Sequence, residues 1–121
     1  MENVTEIKVS ELQAIVPFYQ KLMQTGMDAE KALSHAKDIS VLEKELSIIA
    51  KAEESVLKKG KELADKDGKI TLDQEKEIVE ELKKLHEKVV KIKDLTKITV
   101  FPKEVTPREV NILLSIGLYS A

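Results

Sequence analysis

The chain has no cysteine and no tryptophan. In 121 residues it carries two phenylalanines, two tyrosines, four glycines, three prolines and one arginine. Each scarcity excludes something. Without cysteine there is neither a disulfide framework nor a thiolate for metal or nucleophilic chemistry. With so few aromatics the core has to be built from Leu, Ile, Val and Ala, which suits helix packed on helix. The glycines stand alone at Gly26, Gly60, Gly68 and Gly117, so no glycine-rich loop cradles a phosphate. Base readout and phosphate clamping rely on arginine and stacked aromatics. The lone Arg108 therefore argues against nucleic acid, although Lys83, Lys84, Lys88, Lys91, Lys93, Lys97 and Lys103 make the C-terminal third locally basic. A net charge of −2 gives no long-range field to gather a polyanion or coat a membrane. No apolar run approaches the roughly 18 residues that span a bilayer. Met1-Glu2-Asn3 lacks the basic start and apolar stretch of a signal peptide. The expectation is a cytoplasmic protein with no membrane role, and one domain is the prior for this length.

What the sequence does have is helical periodicity. Ile39, Leu42, Leu46 and Ile49 recur at spacings of three and four, and Val56 and Leu63 continue the series. Glu53 and Gly60 interrupt it, so the seam is expected to weaken toward the turn. Val41, Ile48 and Ala52 form a second line beside the first, making the stripe wider than a two-helix seam needs. After Asp65-Lys66-Asp67-Gly68-Lys69, the sequence Thr71-Leu72-Asp73-Gln74 has capping-box spacing. Ile78, Leu82, Leu85, Val89 and Ile92 then supply the complementary stripe. The spacing predicts a long antiparallel helical hairpin over residues 27–92.

On either side of the hairpin the period changes. Val4 to Val9 alternates like a strand. Ser10 can cap a helix carrying Leu12, Ile15, Val16, Tyr19, Leu22 and Met23, with a break or kink expected near Val16 because Pro17 removes a backbone hydrogen bond. Gly26 ends that element and Asp28 can cap the long helix. Downstream, Lys91-Ile92-Lys93 and Lys97-Ile98-Thr99-Val100-Phe101 both have the alternation of a strand, and the 97–101 stretch is expected to pair with the N-terminal strand. Thr106-Pro107-Arg108-Glu109 starts a short helix that ends at Gly117. The fold class is thus mainly α: a long antiparallel helical hairpin with a short two-stranded ribbon and a short C-terminal helix. Residues 1–26 hold the strand and kinked helix, 27–92 the hairpin, and 93–121 a strand plus a short helix.

Constellations that carry chemistry are few. Asp65 and Asp67 before Gly68 look like the middle of a calcium loop. In that alignment, however, the first and twelfth ligand positions fall on Leu63 and Gln74, so two of the strongest ligands are missing. An ordinary turn is the better reading. His35 lies in line with the apolar seam and is read as partly buried; His86 is read as a surface residue. About 15 residues, roughly 22 Å along the helix axis, separate them in the hairpin, so they cannot share a metal. No hydrolase elbow, P-loop or dinucleotide fingerprint is present. Neither an enzyme nor a cofactor is expected.

Interaction surface remains. The broad stripe and the lone ribbon both ask for a partner, with Leu42, Leu46, Ile49, Leu82 and Leu85 as interface residues in a homo-oligomer. At such joints Arg108, Lys103 and Tyr119 could form a pocket for an anionic nucleotide-type ligand. The stretches Lys44-Glu45-Leu46, Asp65-Lys66-Asp67-Gly68, Glu80-Glu81-Leu82 through Val89-Val90-Lys91-Ile92, and Thr106-Pro107-Arg108-Glu109-Val110 carry a resemblance that covers most of the chain. Their order is similar to that of small phage-encoded helical-hairpin accessory proteins. That resemblance implies a phage or prophage accessory protein acting by protein–protein interaction or self-assembly with a host or phage partner. Its second implication is an anti-defence oligomer that sequesters a nucleotide signal. It carries over no functional residue.

Overall fold

The computed structural model describes residues 4–64 and 68–120. The elements run β1 (Val4–Lys8), α1 (Val9–Leu22), α2 (Ala29–Leu63), α3 (Leu72–Glu87), β2 (Val89–Lys93) and α4 (Pro107–Ser115). At 1.5 Å per residue the 35-residue α2 is about 52 Å long and serves as the spine. The Asp28 carboxylate starts it by accepting the Lys31 N–H at 2.9 Å. The expected capping boxes are present at both later helices. Thr71 Oγ1 accepts from the Gln74 N–H while Gln74 Oε1 accepts from the Thr71 N–H, and Thr106 and Glu109 do the same for α4.

α3 packs on the second half of α2 and α1 on the first, so the hairpin forms. Two of its expected boundaries differ. α3 stops at Glu87, and Val89 and Ile92 lie in β2 rather than on the helix stripe. β2, not residues 97–101, pairs with β1, antiparallel from Val4↔Lys93 to Lys8↔Val89. The Val9 N–H extends the ladder to the Lys88 carbonyl at 2.9 Å. The reason is local: α1 begins directly after β1 and α3 ends directly before β2, so the two helices leave the ribbon side by side. Thr5, Ile7 and Ile92 point inward, while Glu6, Lys8 and Lys91 point out.

Pro17 does not break α1, which runs unbroken through it. Its ring faces outward, while Ile15, Phe18, Tyr19 and Leu22 on the other side are all buried. Their burial outweighs the roughly 3 kcal/mol that an interior proline costs. α1 is in fact the most deeply buried element: Leu12, Ile15, Phe18 and Leu22 are essentially inaccessible, whereas α3 buries no residue fully.

The C-terminal segment closes the core. Gly117, at φ 80°, lets the chain leave α4 with the Leu118 N–H on the Leu113 carbonyl, a left-handed cap that L side chains disfavour. The Leu118 carbonyl then accepts the Ile98 N–H at 2.8 Å. Phe101 bridges Phe18 and Tyr119 by edge contacts at 6.0 and 4.9 Å. Among the described residues, no helix is long and apolar enough to cross a membrane.

Candidate functional site

The five expected interface residues divide. Leu42 and Ile49 are buried within the chain, and Leu46, Leu82 and Leu85 are half-buried. Leu42 and Leu46 meet α1 rather than α3: with Val16, Tyr19, Met23 and Ile39 they line an apolar hollow of about 210 Å³. Leu63 and Val89 of the expected stripes are exposed, and most of the other uncovered residues belong to other lines. Leu33, Val41 and Ile48 are exposed along α2, and Leu72 and Val79 along α3. Val41 and Ile48 come from the second line in the sequence; Leu72 and Val79 were not singled out there.

The three expected anion-pocket residues do not share a cavity. Lys103 lines an open cleft of about 310 Å³ with Lys21, Gln24 and Thr25, and neither Arg108 nor Tyr119 borders it. Arg108 is exposed in the first turn of α4, and Tyr119 packs on Phe101. Lys21 is engaged elsewhere: its Nζ donates to Glu109 Oε1 at 2.8 Å. Asp65 and Asp67 lie outside the described residues. Among the described residues, no three His, Cys, Asp or Glu side chains are grouped to hold a metal ion.

Two polar clusters were not foreseen. The first sits where three helices meet. Gln13 Nε2 on α1 donates to Glu53 Oε1 on α2 at 2.9 Å, and His86 Nε2 on α3 lies 3.2 Å from Glu53 Oε2. Glu53, read from the sequence as a gap in the seam, is the polar tie of the junction. His86 is accordingly half-buried rather than a surface residue.

The second cluster is in the core. Asp38 Oδ2 accepts the Thr96 N–H at 3.0 Å and lies 3.7 Å from His35 Nδ1. The Tyr19 hydroxyl and both ring nitrogens of His35 are buried without a hydrogen-bond partner. Burial, and secondarily the Asp38 charge, raises the Tyr19 pKa well above its usual range. His35 and Asp38 are too deeply buried for a substrate to reach them as packed. Asp38 was legible in principle, since it shares the inner stripe with His35 and Leu42 at helical spacing. Comparison of the chain with protein-family models, with curated proteins and with solved structures returned no match.

Proposed function

We propose that this chain is a non-enzymatic accessory protein, of the kind small phage genomes carry, and that it works in the host cytoplasm by binding protein: a further copy of itself, or a host or phage partner. One observation supports this reading above the others. Leu33, Val41 and Ile48 stand uncovered along α2 although Ile39, Leu42 and Ile49 of the same helix are buried, and uncovered apolar lines of that kind are what a protein interface covers. The test uses the double substitution Val41→Asp and Ile48→Asp, which should leave the melting temperature nearly unchanged because both side chains already face solvent. Tagged wild-type chain should retain untagged chain or a specific partner from phage-infected cells, and the double variant should lose whichever of these binds through α2. Wild type that retains nothing above a tag-only control overturns the reading.

A second reading, an anti-defence oligomer that sequesters an anionic nucleotide between chains, draws support from Lys21 and Lys103 lining one cleft, which Glu104 also borders. It is weakened by the commitment of Lys21 to Glu109. A thermal-shift screen with cyclic nucleotides discriminates the two, since a ligand selective for the folded state raises its stability.

A further inference from the structure

α3 carries a seam that the described residues cover only in part: Leu82 and His86 are half-buried, and Leu72 and Val79 are left exposed. Leu72, Glu75, Val79, Leu82 and His86 follow each other at spacings of three and four, which puts them on one helix face. Leu72 is 68% exposed and Val79 57%. At one end of the seam Leu72 projects. At the other, Val79, Leu82 and His86, with Lys83, Glu87 and Ser10 of α1, surround a largely apolar hollow of about 470 Å³.

The charges on α3 are polarised in the same direction. Asp73, Glu75, Glu77, Glu80 and Glu81 crowd its first ten residues against the single Lys76, while Lys83 and Lys84 follow, with Glu87 at the end of the helix and Lys88 just beyond it. Lys59 of α2 holds Glu77 and Glu81. Glu75 in the seam and Lys83 beside it are both exposed and make no ion pair among the described residues.

We propose that the α3 seam is the contact surface for a second copy of this chain, with the two α3 helices antiparallel and Val79 crossing Val79 on the two-fold axis. This deepens the protein-binding reading and rests on it. An isologous contact must satisfy i against j and j against i at once. Centred on Val79, residue 72 falls opposite residue 86 and residue 75 opposite residue 83. Each Leu72 therefore enters the other copy's hollow beside Leu82 and His86. Glu75 meets the other copy's Lys83 twice, and the acidic half of each helix lies along the basic half of its mate. A parallel arrangement would stack like charge on like charge over the whole helix. One 16-residue helix per copy gives a contact about 24 Å long, a small interface of the kind that exchanges with monomer.

The test is charge reversal on the full chain, read by sedimentation velocity and native mass spectrometry. Glu75→Lys puts lysine opposite Lys83 at both ends, and Lys83→Glu does the reverse. Each alone should weaken the dimer at least tenfold. An equimolar mixture of the two single variants should restore a mixed dimer in clear excess over either homodimer, because both opposed pairs are then of opposite sign. Far-ultraviolet circular dichroism and an unchanged melting temperature confirm that the variants fold. Wild type that stays monomeric at several hundred micromolar overturns the inference while leaving partner binding through α2 intact. A dimer that forms with no preference for the mixed species overturns it too, placing the contact elsewhere, and the protein-binding reading then stands without it.

Discussion

Glu53 on α2 and His86 on α3 hold their side chains 3.2 Å apart, and the same carboxylate takes the Gln13 amide of α1 on its other oxygen. Three helices that differ in how deeply they are buried are tied at one point. Both partners keep about a third of their side-chain surface in water, so the link is worth less than a fully buried one. Glu53→Ala should cost about 1–2 kcal/mol, since it also strands the Gln13 amide. In a double-mutant cycle with His86→Ala, a coupling of about 0.5–1 kcal/mol is expected from urea unfolding. Additive losses would mean that the pair does not hold the junction.

Tyr19 makes the opposite case. Its hydroxyl is buried and unpaired, so Tyr19→Phe should raise stability by about 1 kcal/mol by removing an uncompensated polar group. The same burial, helped by Asp38, holds its proton more tightly in the folded chain than the 10.0 of a free tyrosine. The folded state therefore prefers the neutral phenol. That preference is fully present below about pH 10 and is lost as the pH rises beyond it. Wild type should lose stability above pH 10 more steeply than Tyr19→Phe does. Parallel curves in chemical denaturation from pH 8 to 11 would contradict the assignment.

Glu109 responds to acid. Its side chain is 5% exposed, and burial, the largest single influence, pushes its pKa up. The Lys21 ammonium and then the Thr106 N–H and hydroxyl together outweigh that and hold it below 4.5. A carboxylate whose folded pKa is depressed contributes stability above its unfolded value, and the contribution disappears as the pH falls through the folded value. Glu109→Gln keeps the capping box but not the charge. Between pH 6 and pH 3 wild type should lose more stability than the variant, measured by urea midpoints. Equal losses would show that the Lys21–Glu109 link between α1 and α4 contributes nothing.

Much of this architecture was legible. Thr71, Thr106 and Asp28 announce helix starts because a cap needs a particular oxygen at a particular spacing, and each is used as its spacing implies. The hairpin was legible from the helical spacing of the two stripes, although Ile39 and Leu42 serve the contact with α1 and not the one with α3. What failed was the choice between two alternating stretches. Lys91-Ile92-Lys93 and Ile98-Thr99-Val100 look alike locally, and only the shared exit of α1 and α3 from the ribbon selects the first. Pro17 does not end α1, because the burial of Phe18 and Leu22 across the helix holds the turn around it. The polar clusters were hidden for a similar reason. Glu53 reads as a gap in an apolar line until Gln13 and His86, 40 and 33 residues away in sequence, are brought to it.

Gly60 shows the same lesson at the α2–α3 crossing. A glycine in the seam reads as a weak point, yet here it marks a close approach: a Cβ built on it would lie 2.6 Å from the Ile78 δ-methyl. Replacing glycine by alanine inside a helix is ordinarily worth about 1 kcal/mol. At this position part of that gain should be spent on turning the Ile78 methyl aside, so Gly60→Ala is expected to change stability by less than about 1 kcal/mol. Ile78→Val removes that methyl and makes room. In the Ile78→Val background, Gly60→Ala should therefore recover the full gain of about 1 kcal/mol. The larger Gly60→Val should wedge the helices apart at a cost of about 1–3 kcal/mol. Thermal and urea unfolding of wild type, Gly60→Ala, Ile78→Val and the double variant would decide it. If alanine stabilises equally in both backgrounds, the helices do not cross this closely at Gly60.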